Sequence, residues 1–195
     1  MLVLVIGLII FLGVHSVRIF AEPWRTATRA RVGEGRWKGL YSLVAIVGFV
    51  LIVWGFGMSR QQPVVLWQTP YWTRHLSALL TLIAFILITA AYVPRNYLKA
   101  AVHDPMILGV KVWAVAHLLT NGNLSEVVLF GAFLLWAVAD FGAARRRSRL
   151  AGIARGNTLD YTVARTIQTL VIGLVAWAAF AFYLHRWLIG VQPIP

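Results

Sequence analysis

An all-α, polytopic transmembrane bundle of about six spans is the fold class this sequence predicts, and three observations predict it. Six apolar runs approach or exceed the roughly 20 residues that a helix needs to cross the hydrocarbon core. Apolar residues make up 60% of the 195 in the chain, far more than a water-facing domain can hide. The charged residues, in contrast, gather in the short segments between the runs.

The runs lie near 2–20, 38–58, 75–93, 105–121, 124–141 and 163–190, and together they read as one transmembrane domain over 1–195. The first starts at Met1 with no basic leader and no small-residue cleavage site, so it is expected to be a retained span and not a signal peptide. The intervening stretches 21–37 and 142–162 are rich in Arg and Gly and are too short and polar to fold alone. The second and third runs are apolar along their length. The fourth has marked ends: Asp104 suits a helix N-cap, Pro105 suits the first helical position, and Gly122 closes the run. Only Gly122-Asn123 separates it from the fifth run, which predicts a tight hairpin, and Glu126 in the first turn of the fifth suits the helix dipole.

Loop charge gives an orientation. Arg18, Arg25, Arg29, Arg31, Arg36 and Lys38 flank or fill the first loop, Arg95 and Lys99 the third, and Arg145, Arg146, Arg147, Arg149, Arg155 and Arg165 the fifth. Only Arg60, Arg74 and Arg186 fall on the opposite side. The positive-inside rule therefore predicts that both termini are extracytoplasmic, in a bacterial inner (cytoplasmic) membrane. Trp24, Trp37, Trp67, Trp72 and Trp187 stand near the ends of runs, where an indole anchors the headgroup layer.

Composition also excludes function classes. The net charge of +12 is explained by these loops and by anionic lipid headgroups, so the lipid bilayer is the expected partner and no nucleic acid is. With no cysteine there are no disulfides, iron–sulfur clusters, thiolate ligands or covalently attached haem. Six acidic residues, mostly at run ends, do not build a bridged two-metal site. The chain has no HExxH, no phosphate-cradling glycine loop, no GxSxG elbow and no convincing inverted repeat.

What remains is histidine. His15 stands about five residues from the cytoplasmic end of the first run and His117 lies inside the fourth, whereas His75, His103 and His185 are close to run ends. Ionisable side chains within the bilayer are functional-site candidates by default, and imidazoles on facing helices are a normal way to hold haem iron. Counting from the extracytoplasmic face of a core of about 30 Å, at about 1.5 Å per residue, His15 is roughly 21 Å deep and His117 roughly 12 Å. A tilted haem tolerates that offset, and His15 with His103 matches in depth no worse. Lys111, six residues before His117, either pairs with an acidic substrate or haem propionate or snorkels to the headgroups.

With these residues assembled, the chain resembles the NnrU family of membrane proteins, which includes the zeta-carotene isomerase. Three stretches carry the resemblance: Val14-His15-Ser16; Met106 to Asn123, read as M-x-x-G-V-K-V-W-A-x-A-H-L-L-x-N-G-N; and Leu184-His185-Arg186-Trp187-Leu188-Ile189-Gly190-Val191. The resemblance implies a helical bundle of about six spans and, from the isomerase, haem b held by two histidines at the positions of His15 and His117. It also implies a link to nitrogen-oxide respiration (denitrification) or redox sensing. Two positions depart from the family pattern. Val102-His103-Asp104-Pro105 replaces Arg-His-Pro, and Trp136 stands where the isomerase has a histidine.

The expected function is thus a haem-b-binding membrane protein of the NnrU type, with His15 and His117 as metal ligands and His103 and Lys111 as further cofactor-binding candidates. One alternative is a haem-dependent cis-trans isomerase acting on a hydrophobic small molecule such as a carotenoid. A second is a cofactor-free assembly partner of respiratory membrane proteins.

Overall fold

The computed structural model describes residues 1–102, 104–150 and 161–194. Among them the chain is helical, with a single isolated bridge, between Val65 and Asn123, in place of any strand. Five helical stretches are long and apolar enough to cross a membrane: Leu2–Phe20, Glu34–Ser59, Thr73–Tyr92, Leu124–Leu150 and Val163–Ile189. The protein is an all-α polytopic membrane protein, and the large apolar side chains left exposed, such as Ile9, Leu40, Leu79, Leu135 and Val175, suit lipid.

The chain divides into two compact units, Met1–Trp67 with Gly122–Asp140, and Gln68–Asn121 with Phe141–Pro195. In the first, α1 (Leu2–Phe20) packs along α3 (Glu34–Ser59). Glycines bring the two backbones together. A Cβ on Gly7 would stand 2.6 Å from the amide nitrogen of Ile52, one on Gly48 would stand 2.7 Å from that of Phe11, and one on Gly55 would collide with Leu4. Contact positions rise along α1 as they fall along α3, so the helices are antiparallel, joined by small residues as membrane helices commonly are. The Arg-rich stretch expected to be a loop folds in part: α2 (Glu22–Val32) has no buried residue and carries a Glu22–Arg25 ion pair at 3.0 Å. Glu34 adds ion pairs to Arg29 (3.0 Å) and Lys38 (2.9 Å). The first part of α7 (Leu124–Leu150) completes the unit, with Phe133 5.8 Å from Phe11.

The second unit is built on α4 (Thr73–Tyr92), flanked by α6 (Pro105–Thr120) and α8 (Val163–Ala179). Gly109 of α6 sits under Ala84 and Ile88, and Gly173 of α8 under Ile86. Asn96, fully buried, ends α4 and starts α5 (Tyr97–Ala101) at once. Its amide donates to the carbonyls of Ala90 (2.9 Å) and Val93 (2.6 Å), and its oxygen accepts from the Lys99 amide (2.8 Å). After α8 come a π-helical turn, Phe180–Leu184, and α9 (His185–Ile189).

Two local expectations are corrected, while α6 keeps its expected bounds to within one residue. With 16 residues, α6 is about 24 Å long at 1.5 Å per residue, shorter than the hydrocarbon core, because Pro105 fixes its start and the chain leaves the helix at Asn121. Asp104 occupies the N-cap position, yet its side chain makes no capping bond. Gly122 serves a close approach and not a helix end. Its carbonyl accepts from the amides of Leu66 (2.8 Å) and Trp67 (3.3 Å), and a Cβ there would collide with the Trp67 carbonyl. The linker is pinned from the other side by Glu126, whose carboxylate accepts from the backbone and side-chain nitrogens of Asn123, at 3.1 and 3.0 Å.

Candidate functional site

His15 is held by its own helix and by its unit's aromatic residues. Its Nδ1 lies 2.6 Å from the carbonyl oxygen of Phe11, one turn earlier. A carbonyl only accepts, so Nδ1 carries the proton and the neutral ring has its lone pair on Nε2. The rings of Phe11, Tyr41 and Trp136 surround the imidazole at 4.3, 5.3 and 6.0 Å between centroids, the last two edge-on. The indole Nε1 of Trp136 is buried with no hydrogen-bond partner among the described residues. An orphaned donor of this kind is rare in a native interior, and it gives an incoming acceptor a place to bind.

His117, on α6 in the other unit, repeats the local arrangement. Its Nδ1 lies 2.8 Å from the carbonyl oxygen of Trp113, again one turn back, with the two rings 5.1 Å apart. Its own carbonyl accepts from both the backbone and the side-chain amide of Asn121, at 2.9 and 2.8 Å, which closes the helix three residues later, at Thr120.

His117 opens onto a cavity of about 190 Å³ at the end of the unit where α4 begins and α6 ends. His185 lines the same cavity. It was expected only as a residue near a run end, and the reason it arrives here is backbone geometry. The π-helical turn before it takes in an extra residue relative to an α-helix. Gly190, at φ +77°, then bends the chain back so that the Val191 carbonyl accepts from Nδ1 of His185 at 2.7 Å. Neither step leaves a hydropathy signal; the single cue in the sequence was the Leu184–Val191 motif.

Lys111 does not line this cavity. Its ammonium lies 3.7 Å from the ring centroid of Phe141, a cation–π contact, with the Arg145 guanidinium 5.6 Å from the same ring. His103 lies outside the described residues. No group of three or more His, Cys, Asp or Glu suited to a metal ion occurs among the described residues, so the donors on offer are single imidazoles.

Each imidazole, taken by itself, has the hydrogen bonding that an axial haem ligand needs. Axial ligation needs a neutral imidazole whose other nitrogen is tied to an acceptor, and both His15 and His117 have that hydrogen bonding. The aromatic walls and the orphaned Trp136 donor beside His15 suit a flat, acceptor-bearing group as well.

Comparison with curated proteins and with solved structures finds no match. A family model does match, described as NnrU protein, over residues 3–193. Since that covers nearly the whole length, the two half-buried imidazoles and the helices that carry them are those of a member of the NnrU family, to which this chain belongs.

Proposed function

We propose that this NnrU-family membrane protein binds haem b non-covalently through His15 and His117, in a bacterial inner membrane with both termini extracytoplasmic, and serves nitrogen-oxide respiration or redox sensing. One observation carries the reading: the same backbone hydrogen bond, from Nδ1 to the carbonyl four residues earlier, is made by both imidazoles, at 2.6 and 2.8 Å. The bond fixes the tautomer, orients the ring and raises the basicity of Nε2.

Haem iron, when bound, would supply one-electron chemistry. The chain's own part is to bind, orient and exclude water. Phe11, Tyr41 and Trp136 stand around His15, and the Trp136 N–H holds a donor ready for an acceptor beside it. Pinning both imidazoles on regular helical turns limits their movement.

The test is a visible absorption spectrum of the detergent-purified protein, oxidised and reduced, beside His15→Ala and His117→Ala. The expected result is a six-coordinate b-type spectrum that is lost or becomes five-coordinate in either variant. Wild-type protein that stays colourless after haem is added back overturns the proposal and leaves the assembly-partner reading. Turnover of a cis-polyene by haem-loaded protein would instead support the isomerase.

A further inference from the structure

The end of α7 gathers charge that the candidate haem ligands do not use. Four arginines stand in the five residues 145–149, a density that hydrocarbon excludes, so this end of the helix lies at the headgroup layer. The helix sorts them, at about 100° per residue. Gly142, Arg145, Arg146 and Arg149 recur at the spacing of a single helix face. Asp140, the one acidic residue in the second half of α7, falls with Arg147 on the opposite face.

Gly142 is the floor of the arginine face. Side chains on a helix lean toward its N-terminus, so Arg145 and Arg146 lean toward position 142, where a Cβ would meet nothing within 4 Å. The result is an open recess of about 400 Å³, lined among the described residues by Gly142, Arg145, Arg146, Arg149 and Leu150. None of the three arginines has an ion pair or hydrogen bond with another described residue. Arg145 has only the ring of Phe141, 5.6 Å away, which it shares with the Lys111 ammonium from α6. Asp140 and Arg147, in contrast, have interactions of their own. No described Asp or Glu lines the recess, so the described residues leave its positive charge uncompensated.

Guanidinium forks match the oxygens of a phosphate, and three of them converge at the depth of the bilayer's own phosphates. A soluble anion gains little here, because the arginines are exposed and water and salt screen each pair. A lipid differs on both counts. Its acyl chains already hold the phosphate at this depth, so less freedom is lost on binding, and exposure is what lets it enter from the side. A headgroup that carries its own ammonium is repelled by the cluster, so the face favours a lipid of net negative charge.

We propose that this face of α7 binds one anionic phospholipid of the phosphatidylglycerol kind, its phosphodiester held by Arg145, Arg146 and Arg149 over the gap left by Gly142. Neither His15 nor His117 lines the recess, so this site and the haem reading fail separately.

The experiment is native mass spectrometry of the full-length, delipidated protein, titrated in detergent with dioleoyl phosphatidylglycerol and read as the dissociation constant of the first lipid bound. Dioleoyl phosphatidylcholine, with the same tails, should bind about tenfold more weakly or worse. Arg145→Gln, Arg146→Gln and Arg149→Gln should each weaken phosphatidylglycerol about fivefold, the usual contribution of one basic residue at an anionic surface. Gly142→Leu keeps every charge and fills the recess, and it should weaken the lipid by a similar factor. Arg147→Gln removes the same charge from the opposite face and should leave the affinity unchanged, which separates the site from the general attraction of a chain with net charge +12. Glycerol phosphate, the headgroup without tails, should not displace the lipid even in roughly tenfold excess. Displacement by it would make this a soluble-anion site and overturns the proposal. Equal affinity for the two lipids, unchanged affinity in Gly142→Leu or in the three site arginine variants, or equal weakening by Arg147→Gln overturns it as well. The four site positions are exposed, so their variants leave no hole in the core, and the comparison of the two lipids needs no variant.

Discussion

At the residue scale, the candidate haem ligand in the first unit depends on a glycine on another helix. Gly48 lets α3 approach the backbone of Phe11, and the carbonyl of Phe11 is what holds Nδ1 of His15. A methyl group at position 48 would stand 2.7 Å from the Phe11 amide nitrogen and 2.9 Å from its Cα. Backbone atoms cannot rotate out of the way, so α1 must shift. Gly48→Ala is therefore expected to cost about 1–3 kcal/mol, the usual range for overpacking, and to disturb the His15 spectral signature. Gly57→Ala, on the same helix with nothing within 4 Å of the added carbon, should change stability by less than about 1 kcal/mol, in the stabilising direction set by helix propensity. Detergent unfolding of the two variants side by side checks this; equal destabilisation would remove the close-packing account.

At the element scale, the π-helical turn is the feature that separates a helix merely apolar enough to span from one that also delivers a side chain to a cavity. An α-helix advances about 100° per residue, so one extra residue rotates everything after it by that amount. Tyr183 lies within the turn and is 74% exposed, so its loss leaves no hole in the core. Deleting Tyr183 should restore the α-helical period with unchanged helix content by circular dichroism, turn His185 away from the cavity and shift its imidazole NMR resonances as the bond to the Val191 carbonyl is lost. Unchanged His185 resonances after the deletion would mean that the turn does not position it.

At the scale of the whole molecule, charge distribution carries the orientation. α6 is short, yet it runs antiparallel to α4 along the unit: Gly109 meets Ala84 and Ile88, while His117 and Thr120 share a cavity with Arg74 and Ser77. The proposed orientation counts it as a sixth pass. The chain has no cysteine, so single introduced thiols report without background. In intact cells an impermeant maleimide should label Gln61→Cys, in the link between α3 and α4, and should reach Gly35→Cys, at the start of α3, only after the membrane is opened. The reverse labelling would place the termini in the cytoplasm.

The sequence by itself determined the fold class, the long apolar helices, the family and the identity of the imidazoles on offer. Hydropathy and motif spacing are local properties, and a bilayer solvates each helix separately. It did not determine that part of the Arg-rich stretch is helical, since α2 is held by ion pairs such as Glu22–Arg25 and not by an apolar face. The tertiary structure alone decided which side chains meet. The partner of Gly122 is Trp67, 55 positions away in the chain. The acceptor that pins His185 depends on the left-handed backbone of Gly190. The cavity shared by His117 and His185 exists only because α4, α6 and the chain's last turn converge. Contacts between distant residues are set by backbone approach and helix rotation, and no local pattern encodes either.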